Sequence, residues 1–312
     1  MNKLTVSSSP HIHTVNSTQR IMLDVLIALA PAAIAGTVIF GWRALIVMLT
    51  CVASSLLAEF LFNLIVKKEQ TLSDLSAAVT GLILALNLRA DAPIWQCVIG
   101  SVFAIVVVKC LFGGLGCNFA NPAATARVFM LICFSGTLSG GMVPVITSNP
   151  LLTSGATPLA VLKNGGELPS VLDMFLGLKG GAIGEVCGAA IIVGFIYLVI
   201  RRVIHFETPL IYVATVFVLF LIADNSLVSA TYQVLSGGLL FAAVFMATDY
   251  VTTPITRSGK MVFAFGCGLI TFLIRCFGNY PEGVSFAILL MNILSPYIEK
   301  WTAKRPLGGS AK

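Results

Sequence analysis

An all-α integral membrane body is the fold class this sequence predicts, and three observations predict it. Of its 312 residues, 57% are hydrophobic and only 10% are charged, where a soluble domain carries about 25% charged residues. Mean hydropathy is +0.97, and the apolar runs suffice for nine or ten crossings at roughly 20 residues each. The two halves of the chain also echo one another. The prediction is therefore about ten transmembrane helices in two inverted five-helix repeats, with broken or half helices among them.

Residues 1–20 form a polar leader containing His11 and His13. Two histidines without a third ligand nearby are more often solvated than metal-binding. The leader has no short apolar core with a cleavage site, so no signal peptide is expected. The first repeat is placed at 21–138. It opens with a span from Asp24 to Phe40, interrupted by Pro31, and a second from Ala44 to Val66 closed by Lys67-Lys68-Glu69. A shorter apolar segment runs from Asp74 to Leu88, and a full span from Ile94 to Phe112 follows. The Gly/Asn-rich bend after it ends in Asn121-Pro122. Asn is a good N-cap and Pro suits the first helical position, so a helix to about Phe134 should begin with its free N–H groups facing that bend.

Residues 139–181, rich in Gly, Ser, Pro and Thr, form the one long stretch not expected in the membrane. Within it lies Ser154-Gly155-Ala156-Thr157. A hydroxyl flanked by Gly and Ala is sterically open to a modifying enzyme and to a bulky attached group. The bland alternative is an ordinary surface turn. The second repeat, 182–300, reads as spans at Ala182–Ile200, Pro209–Ala223, Gln233–Thr248, Met261–Phe277 and Gly283–Tyr297, with a break at Asp249–Pro254. A basic, polar tail occupies 301–312.

The repeat is legible in two pairings. Thr80-Gly81-Leu82-Ile83-Leu84-Ala85-Leu86 followed by Pro93 parallels Gly238-Leu239-Leu240-Phe241-Ala242-Ala243-Val244 followed by Pro254. Phe112-Gly113 with its turn to Asn121-Pro122 parallels Phe277-Gly278 with its turn to Pro281. An odd number of spans per half makes the second copy enter from the opposite face, and broken helices of such repeats line a central site. Charge gives the orientation. One set of loops gathers Lys67, Lys68, Arg201, Arg202, Arg257 and Lys260, while the other keeps Arg43, Arg89, Lys163 and Lys179. The bias puts both termini inside and the Thr157 loop outside.

Net charge is +6, too modest to point to nucleic acid. The 8 cysteines are scattered, with no CxxC pair and no iron–sulfur or zinc spacing. No Gly-rich dinucleotide fingerprint follows a strand, and no metal site is expected. Ionisable residues in spans are costly and therefore functional candidates. Glu59, Asp74, Glu185 and Asp249 qualify, and of these Glu59 and Asp249 are the ion-pathway candidates. Interfacial capping is the competing reading for each, and the favoured one for Asp74 and Asp249. Arg127 is either a counter-charge to an anion or a side chain reaching for the interface.

These residues carry a resemblance. Ser73-Asp74-Leu75-Ser76-Ala77-Ala78-Val79-Thr80-Gly81, Asn118-Phe119-Ala120-Asn121-Pro122-Ala123-Ala124 and, most sharply, Ser154-Gly155-Ala156-Thr157-Pro158-Leu159 resemble the family of D subunits of the Rnf electron-transport complexes. More distantly they resemble the B subunits of the sodium-pumping NADH:quinone oxidoreductases. The resemblance covers essentially the whole chain. It implies that Thr157 carries FMN through a phosphoester installed by a flavin transferase, although Thr147–Thr153 lacks the acidic residue usual upstream of that motif. It places a second, non-covalent flavin (riboflavin) near Asn118 and Asn121, where capping and bend chemistry alone is the equal alternative. It further implies a multi-pass inner-membrane subunit of an Rnf-type complex, with iron–sulfur and NAD-binding partner subunits. Electrons would pass between ferredoxin and NAD⁺ with coupled Na⁺ or H⁺ translocation. A passive channel or secondary transporter for a small polar solute is the alternative of a different class.

Overall fold

A computed structural model describes residues 17–138, 144, 157–163, 169–278 and 282–303, and among these every regular element is a helix. Gly41, at φ 74°, divides one apolar run into α1 (Thr18–Phe40) and α2 (Trp42–Val66), a conformation open to glycine without steric cost. A 3₁₀ turn (Leu72–Asp74) leads into α3 (Ser76–Leu86). There the Asp74 carboxylate accepts from the Ser76 backbone N–H at 2.8 Å and so caps the helix. The next helix, α4, spans Ile94–Cys110. It is α-helical to Val102 and π-helical from Phe103 onward, with the Leu111 N–H reaching the Val106 carbonyl at 3.0 Å.

Asn121 caps α5 (Pro122–Cys133) by accepting from the N–H groups of Ala123 and Ala124 at 3.0 and 3.1 Å, the start expected from Asn-Pro. Three short helices follow: α6 (Ser135–Leu138), α7 (Pro158–Lys163) and α8 (Val171–Leu176). The second half holds α9 (Gly188–Ile200), α10 (Glu207–Asp224), α11 (Leu227–Leu235), α12 (Leu239–Phe245), α13 (Arg257–Phe277) and α14 (Val284–Thr302).

The expectation of about ten transmembrane helices, broken or half helices among them, is met in its coarser part, an all-helical apolar body. Among the described residues, 4 helices (α1, α2, α10 and α13) are long and apolar enough to cross a membrane alone, and the pair α11/α12, bent by 56°, would make up to 5. Helices α3, α4, α5 and α9 are apolar but have 10–17 residues, and at about 1.5 Å per residue the shorter ones fall well short of a hydrocarbon layer of roughly 30 Å. The span expected from Ala182 begins only at Gly188. Residues 182–187 instead run as turn backbone against the end of α3, with the N–H groups of Ile183 and Gly184 donating to the carbonyls of Leu88 (2.9 Å) and Leu86 (2.7 Å). Gly184 is required there, since a Cβ would sit 2.6 Å from Leu86 Cβ.

Within the first half, α2 packs on α3 and α4, and α4 on α5; in the second, α10 packs on α11, α12 and α13, and α13 on α14. The halves meet where α1 packs on α9 and α5 on α14. Burial is concentrated along these contacts, where Leu29, Leu84, Leu86, Tyr212, Phe241 and Phe263 are fully enclosed. The outer surface is apolar: Ile34, Trp42, Ile65, Ile222 and Phe277 are all exposed. A large exposed apolar surface on a chain this hydrophobic is one that lipid covers, and the protein is a multi-pass membrane protein.

Candidate functional site

Polar chemistry collects at the two ends of α10. At its start, Val203 and Ile204 border a hollow of about 770 Å³, counting its open mouth, whose apolar walls include Val79, Ile83, Val244 and Phe245. Its polar lining comprises Ser76, Thr80, Lys109, Asn118, Asn121 and Asp249. At the other end, Phe220 and Asp224 border a second hollow of about 870 Å³, again counting open space, with Leu159, Leu162, Ser229, Gln233 and Arg275. Val203 and Ile204 precede the first turn of this 18-residue helix and Phe220 and Asp224 lie in its last turns, so the two hollows border opposite ends of it.

The first hollow unites several residues singled out above, in unequal roles. The Asn121 amide is engaged at both ends: its oxygen caps α5, and its Nδ2 donates to the Met246 carbonyl at 3.2 Å. Its backbone N–H donates to Asn292 Oδ1 at 3.1 Å, and Asn292 in turn donates to the Thr252 carbonyl at 3.1 Å. Asn121 is thus a cap and a tie between halves. Asn118 donates once, to the Ala120 carbonyl at 3.1 Å, and its oxygen accepts no hydrogen bond among the described residues. Asp249 lines the hollow and caps its own turn, accepting from Thr252 Oγ1 at 3.1 Å. Arg127 does not line it; buried on α5, it pairs with Glu282 at 3.5 Å and leaves Nη1 without a partner.

The residue that sequence reasoning missed is Lys109. It lies on the π-helical part of α4 and is 2% exposed. It donates to Glu59 Oε1 at 2.9 Å and to Ser76 Oγ at 2.5 Å. Glu59, also 2% exposed, sits behind it and receives Thr71 Oγ1 at 2.7 Å. A lysine inside an apolar run is itself the signal, and a π-turn is often functional, but nothing in composition marks the partner fifty positions away.

At the second hollow the break between α11 and α12 is held by buried cations. Lys179 Nζ donates to the Leu235 carbonyl. Arg275 donates to the carbonyls of Gln233 and Ser236 at 2.5 and 3.1 Å. These are end-of-helix carbonyls without intrahelical partners, and positive charge is favoured at that end of the dipole. Gly237, at φ 66°, lies under α7, where a Cβ would come 2.7 Å from Leu159 Cδ1.

Thr157 begins α7 and departs from the open hydroxyl expected of it. It is 3% exposed and its Oγ1 accepts from the Ala160 N–H at 3.3 Å, so it acts as an N-cap ahead of Pro158, the signature also seen at Asn121-Pro122. Ser154, Gly155 and Ala156 lie outside the described residues. Among the described residues no group of three or more His, Cys, Asp or Glu is placed to hold a metal.

As to fit, the first hollow suits a planar heteroaromatic group: apolar walls with a few convergent polar side chains, namely Lys109, Asn118 and Asp249. Around the Thr157 hydroxyl there is no such room, while the hollow beside α7 has it, along with the unpartnered Arg275 Nε.

Comparison with known proteins follows the same line. The model of the NQR2, RnfD, RnfE family matches residues 5–308. The chain is 45% identical over 309 residues to the D subunit of the Na(+)-translocating ferredoxin:NAD(+) oxidoreductase complex of Acetobacterium woodii, covering 98% of this chain and 95% of the relative. It is 37% identical over 321 residues to the D subunit of the proton-translocating ferredoxin:NAD(+) oxidoreductase complex of Clostridium ljungdahlii, covering 96% and 95%. It is 38% identical over 336 residues to the D subunit of the ion-translocating oxidoreductase complex of Stutzerimonas stutzeri, covering 95% and 94%.

Proposed function

Since the chain belongs to the NQR2, RnfD, RnfE family, we propose that it is the flavin-bearing membrane subunit of an Rnf-type ion-translocating ferredoxin:NAD⁺ oxidoreductase. On this reading it is an inner-membrane subunit that crosses about ten times as two inverted repeats. Both termini face the cytoplasm and the Thr157 segment lies outside. The parallel packing of the halves supports the repeat, as does their meeting through α1–α9 and α5–α14, the elements an inverted pairing makes equivalent. Iron–sulfur and NAD-handling partner subunits and a maturing flavin transferase complete the assignment.

Thr157 would hold FMN as a phosphoester, and the hollow of Lys109, Asn118 and Asp249 would hold a second, non-covalent flavin such as riboflavin. Bound there, a flavin supplies one- and two-electron chemistry. The chain's own residues do the rest. Lys109 places a positive charge at one wall of the first hollow, where low dielectric strengthens it. Asn118 offers an amide edge that can donate and accept, and Val79, Ile83, Val244 and Phe245 exclude water. Because Thr157 is covered, its loading requires the hydroxyl to be uncovered before or during modification. The solute-pore alternative gains little at the break of α11 and α12, where Lys179 and Arg275 are tied to the free carbonyls of Leu235, Gln233 and Ser236.

The single observation carrying this reading is the pair of hollows at opposite ends of α10, one beside each flavin candidate. In-gel fluorescence of the SDS-denatured chain, produced with its maturation enzyme, tests it. A glowing band that darkens in Thr157→Ala is expected. A dark wild-type band would sink the covalent flavin, and one still glowing in the variant would move the attachment site.

A further inference from the structure

The Lys109 ammonium is held by an arrangement of oxygens that is not specific for lysine. Glu59 Oε1 and Ser76 Oγ take its hydrogens at 2.9 and 2.5 Å. The hydroxyl hydrogens of the neighbouring groups point elsewhere: Ser76 Oγ donates to Asp74 Oδ1 at 2.5 Å, and Thr71 Oγ1 donates to Glu59 Oε1 at 2.7 Å. Asn63 donates to Thr71 Oγ1 at 3.0 Å. The lone pairs of Ser76 therefore face the cation, as a ligand to a metal ion would. Glu59 Oε2 is buried and has no partner, although a carboxylate oxygen enclosed in protein ordinarily has one. Thr71, which donates to Glu59, is exposed while Glu59 is enclosed and does not line the hollow, so the cage has a way to water through Thr71.

We propose that this cage is a monovalent-cation site whose occupant here is the Lys109 ammonium, and that a small inorganic cation takes the same position when Lys109 turns into the adjoining hollow. The cage stands on its own geometry. What draws Lys109 away rests on the reading of the hollow as a redox-cofactor site, because an occupant that gains negative charge on reduction would attract it. Lysine suits this exchange. Its ammonium has three donors on a flexible stem, only two are used by Glu59 and Ser76, and the residue borders both spaces. Ammonium and ion exclude one another because their positions overlap and like charges repel strongly in low dielectric. Charge in the hollow and cation in the cage are then linked, and the linkage is reciprocal.

The test uses the purified full chain in detergent and the Lys109→Met variant, each melted in sodium chloride and in choline chloride at equal ionic strength. Removing one partner leaves Glu59 as an uncompensated buried charge, so in choline the variant should melt lower by roughly 5 °C or more. Sodium should restore it in a concentration-dependent way, with an apparent affinity at least about tenfold above that of wild type. The double variant Glu59→Gln/Lys109→Met, with no charge left to satisfy, should melt alike in both salts. A Lys109→Met chain without cation dependence, whether it folds or not, overturns the cage. The switch is tested on the assembled complex. Retention of ²²Na⁺ should rise on reduction with dithionite in wild type and be high in both states in Lys109→Met; unchanged wild-type retention overturns it. Neither readout of the isolated chain requires a flavin, so failure of the cage and failure of the flavin assignment are seen separately.

Discussion

Two buried lysines, each 2% exposed, have opposite kinds of partner. Lys179 donates to a backbone carbonyl at the end of α11, and Arg275 does the same from α13. These cations complete a broken helix. Their partners are neutral dipoles that cannot leave or change charge, so the arrangement is a fixed plug. Lys109 instead faces the carboxylate of Glu59 and the hydroxyl of Ser76, a set that another cation can satisfy equally well. The same residue type is thus a structural part in one place and an exchangeable occupant in the other, and partner chemistry decides which.

The comparison breaks most visibly at Glu59. Glu59→Ala strands the Lys109 ammonium and should cost about 3–5 kcal/mol, read as the denaturant or thermal midpoint of the purified chain; added sodium should not recover it, because the carboxylate is gone. Arg275→Met leaves the carbonyls of Gln233 and Ser236 unpaired and should cost about 2–3 kcal/mol. That loss should be identical in sodium and choline, in contrast to Lys109→Met, and a sodium-dependent loss at Arg275 would erase the contrast between plug and cage. Gly237→Ala meets both a positive φ and Leu159 Cδ1 and should cost about 1–2 kcal/mol. Because it pushes on α7, it should also speed protease or thiol-label access at a cysteine placed at Thr157. Smallest is Thr157→Ser, which keeps the cap and should change stability by under about 0.5 kcal/mol, whereas Thr157→Ala loses about 1 kcal/mol and all covalent fluorescence.

Much of the fold and the site is legible in the residues alone, and the reasons divide cleanly. Asn121-Pro122 announces the start of α5 because N-cap and first-turn chemistry are local. The break near Gly238 is not, since the sequence reads through Gln233 to Thr248 as one apolar run and the bend depends on Lys179 and Arg275 arriving from elsewhere. Residues 182–187 look helical for the same reason: their apolar character serves packing against α3, and the glycine contact at Leu86 is tertiary. Thr157 reads as open because Gly and Ala flank it, yet it is buried, because accessibility is set by tertiary packing and not by the flanking residues. Glu59 and Lys109 each stand out as a charge in an apolar span, but their pairing and the π-turn that aims Lys109 do not, because only the fold brings the two together.

The ties at Asn121 have a mechanical consequence. This residue bonds at once to Met246 and Asn292, and Asn292 to Thr252, so one buried knot joins the end of the bend before α5 to the turn after α12 and to α14. Relative motion of the halves is opposed at this knot, and the wall beside Asn118 is thereby anchored to both of them.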